Sequence, residues 1–186
     1  MLEKELSISA VDAAKRLLGC ILECEVDGRL VRVRIVETEA YDETDAASHS
    51  FNGRTPRTDV MFGPAGHLYV YFTYGMHYCC NVVTGREEEG SAVLIRAAEP
   101  LIGKDILEKR RGKTGVDVTN GPAKLCQALG VDKKMNGHDL ENEPLRLLLQ
   151  PPLEGGIVQT TRVGIRHAKE VKWRFYIADN PYVSVR

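Results

Sequence analysis

An alternating apolar strand that begins at Val31 runs straight into two glutamates and a tyrosine, ending at Tyr41. Val31, Val33 and Ile35 share one parity with Glu37, Glu39 and Tyr41, so a strand without a bulge projects all six side chains from one face. The core face of that strand thus becomes carboxylic. A carboxylate near a core loses hydration and is retained when it is paired, hydrogen-bonded or protonated. Glu37 and Glu39 are therefore candidates for chemistry, the alternative being a strand that has emerged into solvent by residue 37; spacing alone does not choose between the two glutamates.

Other periodic stretches flank this one. Residues 9–19 open with Ser9 as an N-cap, carry apolar side chains at Val11, Ala14, Leu17 and Leu18, and stop at Gly19, the signature of a short helix. Ile21 to Val26 and Leu30 to Val36 bracket Asp27-Gly28, a dipeptide suited to a hairpin turn. Residues 42–59 have neither period and hold Gly, Pro, Asn and Ser, which predicts a long ordered loop. In HLYVYFTY, Leu68, Val70 and Phe72 alternate with Tyr69, Tyr71 and Thr73, giving one aliphatic and aromatic face and one phenolic face. YGMH then turns the chain, and Tyr78 to Val83 returns as a partner strand carrying Asn81. A further strand over 91–98 holds Arg96 inside an apolar run. Such an arginine either pairs with a carboxylate, Glu37 or Glu39 being the nearest named, or sits at an edge with its head in solvent.

Leu101 to Arg111 reads as a helix ending in KRRGK, and 120–130 as a second one with Asn120 as cap, Pro122 in its first turn and Gly130 as stop. Its free N–H groups beside Lys124 suit a phosphate. The rest, PLRLLL, TTRVGIRHAKEVKWRFYI and PYVSV, reads as strand-like segments broken by Gly and Pro.

Composition narrows the class. At 186 residues, 43% hydrophobic and 27% charged, the sequence suits one globular domain with no linker. It has no apolar run near the ~18 residues of a membrane span, and its MLEKELSIS start lacks a signal-peptide pattern, so a cytoplasmic or nuclear location is expected. The five cysteines, without a CxxC pair, suggest reduced thiols and no metal site. Net charge is −1, yet residues 1–50 carry six Lys/Arg against eleven Asp/Glu, and 51–186 nineteen against fifteen. A local basic face is compatible with that asymmetry, as is the tail from 151 onwards, with six Lys/Arg against three Asp/Glu.

Tyrosines and a histidine near two carboxylates suggest a pocket that stacks a flat ring and performs acid or base chemistry beside it, for which a nucleobase is a fitting occupant. An enzyme acting on a base inside a duplex must extrude it and fill the gap. Tyr74, beside Gly75 and Met76 at the hairpin tip, is a candidate wedge; the bland alternative is a ring folded back on its own hairpin.

VETEAY, DAASH at 45–49, RTPR at 54–57, MFGPAGHLYVYFTYGMHYC at 61–79, Asn81, LIRAAEP, NGPAKLCQAL and the late RVGI and PYVSV together resemble the alkyladenine, or 3-methyladenine, DNA glycosylase family over most of the chain. The resemblance implies an α+β fold: a single mixed domain with a curved antiparallel β-sheet, a protruding β-hairpin that enters the DNA minor groove, and flanking helices. It implies hydrolytic release of alkylated purines from double-stranded DNA without a cofactor, with deaminated purines as a further expected class. No lysine lies in the pocket motifs to act as a lyase amine, so a monofunctional hydrolase is expected, and a monomer. By position the resemblance makes Glu39 the base that activates water, with Arg96 helping to place both. Tyr41, His49, Tyr71 and Asn81 would form the base pocket, and Tyr74 the intercalating ring. Met76, Arg54, Thr55, Arg57, Met61 and Lys124 would contact DNA. The sequence departs from the family pattern in a shorter segment between Tyr41 and Asp45 and in Thr58 where asparagine is common. A catalytically silent damage sensor would not need Glu39, and an enzyme of free nucleosides would not need a wedge.

Overall fold

The computed structural model describes residues 1–73 and 75–185; the proposed wedge, Tyr74, lies outside them. The chain forms α1 (Leu2–Leu6), α2 (Ala10–Leu17), β1 (Ile21–Val26), β2 (Arg29–Tyr41), β3 (Leu68–Thr73), β4 (His77–Val83), β5 (Ala92–Ile102), α3 (Lys104–Arg111), α4 (Pro122–Leu129), β6 (Leu145–Leu148), β7 (Ile157–Thr160) and β8 (Arg174–Ile177). The strands make one curled antiparallel sheet in the order β3-β4-β5-β2-β1-β6, with β8 on the second half of β2 and β7 on β8. This is the α+β class with helices packed on a curved sheet.

Local signals explain the helices and turns. Ser9 caps α2 by accepting the Asp12 N–H at 3.1 Å. Asp27 and Gly28 both adopt positive φ, 52° and 75°, the geometry of a two-residue hairpin between β1 and β2. Three expectations are corrected. Leu101 and Ile102 belong to β5, and α3 starts only after Gly103, whose φ of 77° breaks the strand. Gly121 rather than Asn120 is the cap position of α4, and the Asn120 side chain instead accepts a hydrogen bond from Lys124. PYVSV is not a strand: residues 181–185 are turns and bends, held by hydrogen bonds described below.

β2 overturns the unbroken alternation. Its register with β5 shifts between Ile35 and Glu37 and again between Glu37 and Thr38. Val36 is an extra residue on β2, and Arg96 is an extra residue on β5 directly after it, since Glu37 pairs with Ala97 and Thr38 with Ile95. The two bulges compensate, and each reverses parity. Val31, Val33, Ile35, Ala40, Ile95 and Ala98 therefore face one core with α2 and Phe175, and Thr38 on the same side donates to the Ala14 carbonyl at 2.9 Å. Val36 and Ala97 face the other way, against Tyr182 and Val183. Glu37, Glu39 and Arg96 leave the sheet on that second face. The glutamates are thus opposite the main core, not an extension of it.

The 42–59 loop is held down at its far end. Ser50 Oγ donates to the Gly90 carbonyl at 2.7 Å, and Glu43 accepts the Gly90 N–H at 2.9 Å. A Cβ on Gly90 would stand 2.6 Å from Phe62 Cζ, so this close approach requires glycine.

Phe175 is fully buried on the main-core face, opposite the glutamates. Phe175→Ala should therefore cost about 3–5 kcal/mol in denaturant unfolding.

Candidate active site

Both glutamates are completely buried, yet they are held differently. Glu37 Oε1 accepts from Arg174 Nη1 at 2.7 Å, and its Oε2 accepts the Ser184 N–H at 2.7 Å. Arg96 Nε lies 3.4 Å from Glu37 Oε1, and Arg96 Nη1 lies 3.3 Å from Glu39 Oε1. Glu39 Oε1 also accepts the Val163 N–H at 2.8 Å, and its Oε2 accepts the Tyr41 hydroxyl at 2.7 Å. One arginine thus lies between two carboxylates. Among the described residues Arg96 Nε has no hydrogen bond of good geometry, so its link to Glu37 is chiefly one of charge.

The two carboxylates differ in what they face. Glu39 lines a cleft of about 520 Å³, whereas Glu37 does not. A carboxylate offers about four lone-pair positions; two hydrogen bonds and the Arg96 ion pair leave Glu39 able to accept from a water or a substrate. Glu37 is bound to the segment 174–185 behind the site. The choice between them, which parity left open, is made by the cleft.

Its walls are aromatic. Tyr69 and Tyr71, neighbours on the same face of β3, are stacked with centroids 5.8 Å apart and planes at 29°. His49 meets Tyr71 edge-on at 4.6 Å. Its Nδ1 is 3.0 Å from the Tyr69 hydroxyl, and its Nε2 is 3.3 Å from Arg57 Nη2. A guanidinium only donates, so Nε2 is the acceptor and Nδ1 carries the proton. The shorter 42–45 segment thus still delivers His49 to the cleft. Burial, followed by the Arg57 charge, lowers the His49 pKa to about 4. Burial raises the Tyr41 pKa, helped by the charge of Glu39 and their hydrogen bond, and burial raises that of Tyr71. Neutral rings and one buried carboxylate suit a flat, electron-poor guest.

Of the residues singled out from sequence, Glu39, Tyr41, His49, Met61, Tyr71, Asn81 and Arg96 line this one cleft. Met61 is buried in its wall, away from the outer surface, and Asn81 Nδ2 donates to the Tyr69 carbonyl at 3.2 Å. Arg54, Thr55, Arg57, Lys124 and Met76 do not line it. Arg54 pairs with Asp59 and Glu88. Thr55 donates its N–H to Thr58 Oγ1 at 2.9 Å, which is the use made of Thr58. Arg57 lies 5.9 Å over the Tyr71 ring. Lys124 Nζ bonds Asp117 and Asn120. Met76 is 70% exposed on the β3–β4 hairpin, the most exposed large hydrophobic side chain after Met1 among the described residues. The basic tail is not one solvated face, since Arg162 and Arg174 are buried in ion pairs.

Sequence reasoning missed one wall. Val163, Gly164, Ile165, Arg166 and His167 line the cleft, as do Cys79 and Pro122. The RVGIRH run was visible, but a backbone N–H aimed at Glu39 has no residue-type signature. The Arg162–Asp45 pair, 117 residues apart in sequence, was invisible for the same reason.

Comparison with known proteins identifies the family. The family model described as Methylpurine-DNA glycosylase (MPG) matches residues 4–181. A protein of Carboxydothermus hydrogenoformans is 52% identical over 174 residues, covering 92% of this chain and 91% of its own. One of Francisella tularensis subsp. tularensis is 47% identical over 188 residues, covering 98% and 97%, and one of Methanoculleus marisnigri is 48% identical over 188, covering 95% and 94%. Each bears the name "Putative 3-methyladenine DNA glycosylase". The chain belongs to the methylpurine-DNA glycosylase family.

The lowered His49 pKa has a signed consequence. Between about 6.5 and about 4 the unfolded chain holds a proton on His49 that the folded one does not, so stability is lost as pH falls through that window. Ring-proton NMR should titrate His49 near pH 4, and His49→Gln should flatten the stability profile between pH 6.5 and 4.

Proposed function

We propose that this protein is a monofunctional DNA glycosylase of base excision repair that extrudes alkylated purines from duplex DNA and hydrolyses their N-glycosyl bond. The observation that carries the reading is Glu39, a fully buried carboxylate facing an aromatic cleft. The same pocket would take deaminated purines such as hypoxanthine.

Alkylation at ring N3 or N7 makes the purine cationic. The bond from C1′ to the ring nitrogen then breaks with its electron pair moving to the purine, which leaves neutral and needs no strong acid. Water adds to C1′ of an oxocarbenium-like sugar, and Glu39 takes the water proton. Arg96, held by Glu37 and Glu39, keeps the carboxylate oriented and helps to place the water. Tyr41, His49 and Tyr71 enclose the base, and a cationic ring gains about 0.5–2 kcal/mol from aromatic faces that a neutral one lacks. Asn81, fixed against the β3 backbone, screens the exocyclic group of the base. Tyr74 takes the vacated place in the stack, with Met76 beside it. Arg57, Arg54, Thr55 and Lys124 approach the phosphates, Arg54 and Lys124 by exchanging their present carboxylate partners. The protein acts as a monomer and uses no cofactor.

The test is release of methylated purines from duplex DNA, with the freed bases identified by chromatography. Glu39→Gln should retain affinity for an abasic duplex and lose most single-turnover release, because the amide cannot take the proton. Wild-type rates in that variant would remove Glu39 from its role. Glu37→Gln should instead lower stability by about 3–5 kcal/mol, since it leaves Arg96 and Arg174 buried with a partner lost.

A second measurement addresses extrusion. Tyr74→Ser should weaken excision of hypoxanthine from duplex more than from single strands, the lost stacking being about 1–3 kcal/mol. Equal losses on both strand forms would assign Tyr74 to the fold or the pocket.

A further inference from the structure

We propose that the buried Asp45–Arg162 ion pair is a positioning device for Glu39 and Tyr41; the proposal rests on the glycosylase reading above. The two side chains are 2% and 0% exposed, and the contact is bidentate, with Nη2 donating to Oδ1 at 2.9 Å and Nη1 donating to Oδ2. A buried ion pair of this kind is a weak source of stability, since apolar replacements often serve as well. Arg162 Nε, moreover, is buried without a hydrogen-bond partner among the described residues. Its orientation is therefore not the one that satisfies the arginine best.

What the orientation does achieve is local to Glu39. Arg162 Nη1 donates to the Ala40 carbonyl at 2.9 Å, and the guanidinium lies 4.7 Å over the Tyr41 ring and 5.4 Å over the Trp173 ring. Apart from Arg96, the groups that hold Glu39 are the Tyr41 hydroxyl and the Val163 N–H. Arg162 reaches the first through its ring contact and the second through a single peptide bond. Asp45 anchors the arginine to the loop that brings His49 to the cleft, and Asp45 Oδ1 also accepts the Ala47 N–H at 3.0 Å. Three segments that build the pocket thus meet at one ion pair. Arg162 does not line the cleft, so it acts through these neighbours and not on the base.

Two variants test this, Asp45→Asn and Arg162→Lys, the second keeping the charge but losing the planar fork. Single-turnover release of methylated purines should fall by about tenfold or more, as expected when a reacting group is displaced by a fraction of an ångström. Affinity for an abasic duplex should stay within about a factor of three. Hydrogen exchange at the Val163 amide, read by NMR against β5 amides in the same sample, should accelerate in both variants. Wild-type release per folded molecule, or unchanged Val163 exchange, overturns the proposal, even where the melting temperature falls. If the wild-type protein itself releases no base, the glycosylase reading fails, and Val163 exchange alone still decides the positioning role. If Asp45→Asn does not fold, Arg162→Lys decides by the same two measurements.

Discussion

Arg96 lying between two fully buried carboxylates is the interaction on which the site depends. Two negative charges at this depth would be untenable without it, because the desolvation of each costs several kcal/mol. Arg174 completes the balance from the far side of Glu37. The result is an unequal arrangement: each glutamate has two hydrogen bonds and a share of Arg96, but those of Glu37 come from the segment behind the site, whereas Glu39 faces the cleft. Two glutamates two residues apart thus acquire unequal work from what they face.

The paired bulges make that arrangement possible. A bulge on β2 alone would slip the register with β5 and carry the later β5 side chains, Ile95 first, to the wrong face. With a compensating bulge at Arg96, the strands return to their original register after it, and the two irregularities place opposite charges side by side. Irregular backbone of this sort is common beside active sites, where it re-aims side chains. Here it moves the carboxylates from the core face to a face where 174–185 can satisfy Glu37 and where Glu39 meets the cleft.

Much of this was legible in the sequence, and the reasons for the rest are physical. The hairpin at Asp27-Gly28, the cap at Ser9 and the phenolic face of β3 depend on neighbours in the chain, and all three are where pattern places them. The family motifs, being long and ordered, delivered most of the cleft-lining side chains. Parity failed at Val36 because nothing in a run of β-branched and acidic residues marks an extra residue; only the partner strand reveals it. The Asn120 cap failed because Lys124, four residues on, competes for the same side chain. The tail looked basic by count, whereas two of its arginines are internal counter-ions, a distinction that composition cannot make.

The ties of Glu37 to Ser184 and of Arg174 to Val185 have a consequence for biosynthesis. The Glu37–Ser184 hydrogen bond spans 147 residues, so β2 leaves the ribosome long before the groups that neutralise it. Contacts this remote form late, after loop closure has been achieved elsewhere. Until residues 174–185 dock, Arg96 alone of the two arginines stands against the carboxylates, and Glu37 lacks both Arg174 and the Ser184 N–H. The late segment thus completes the charge balance behind the cleft and leaves the pairing of Arg96 with Glu39 to the sheet itself.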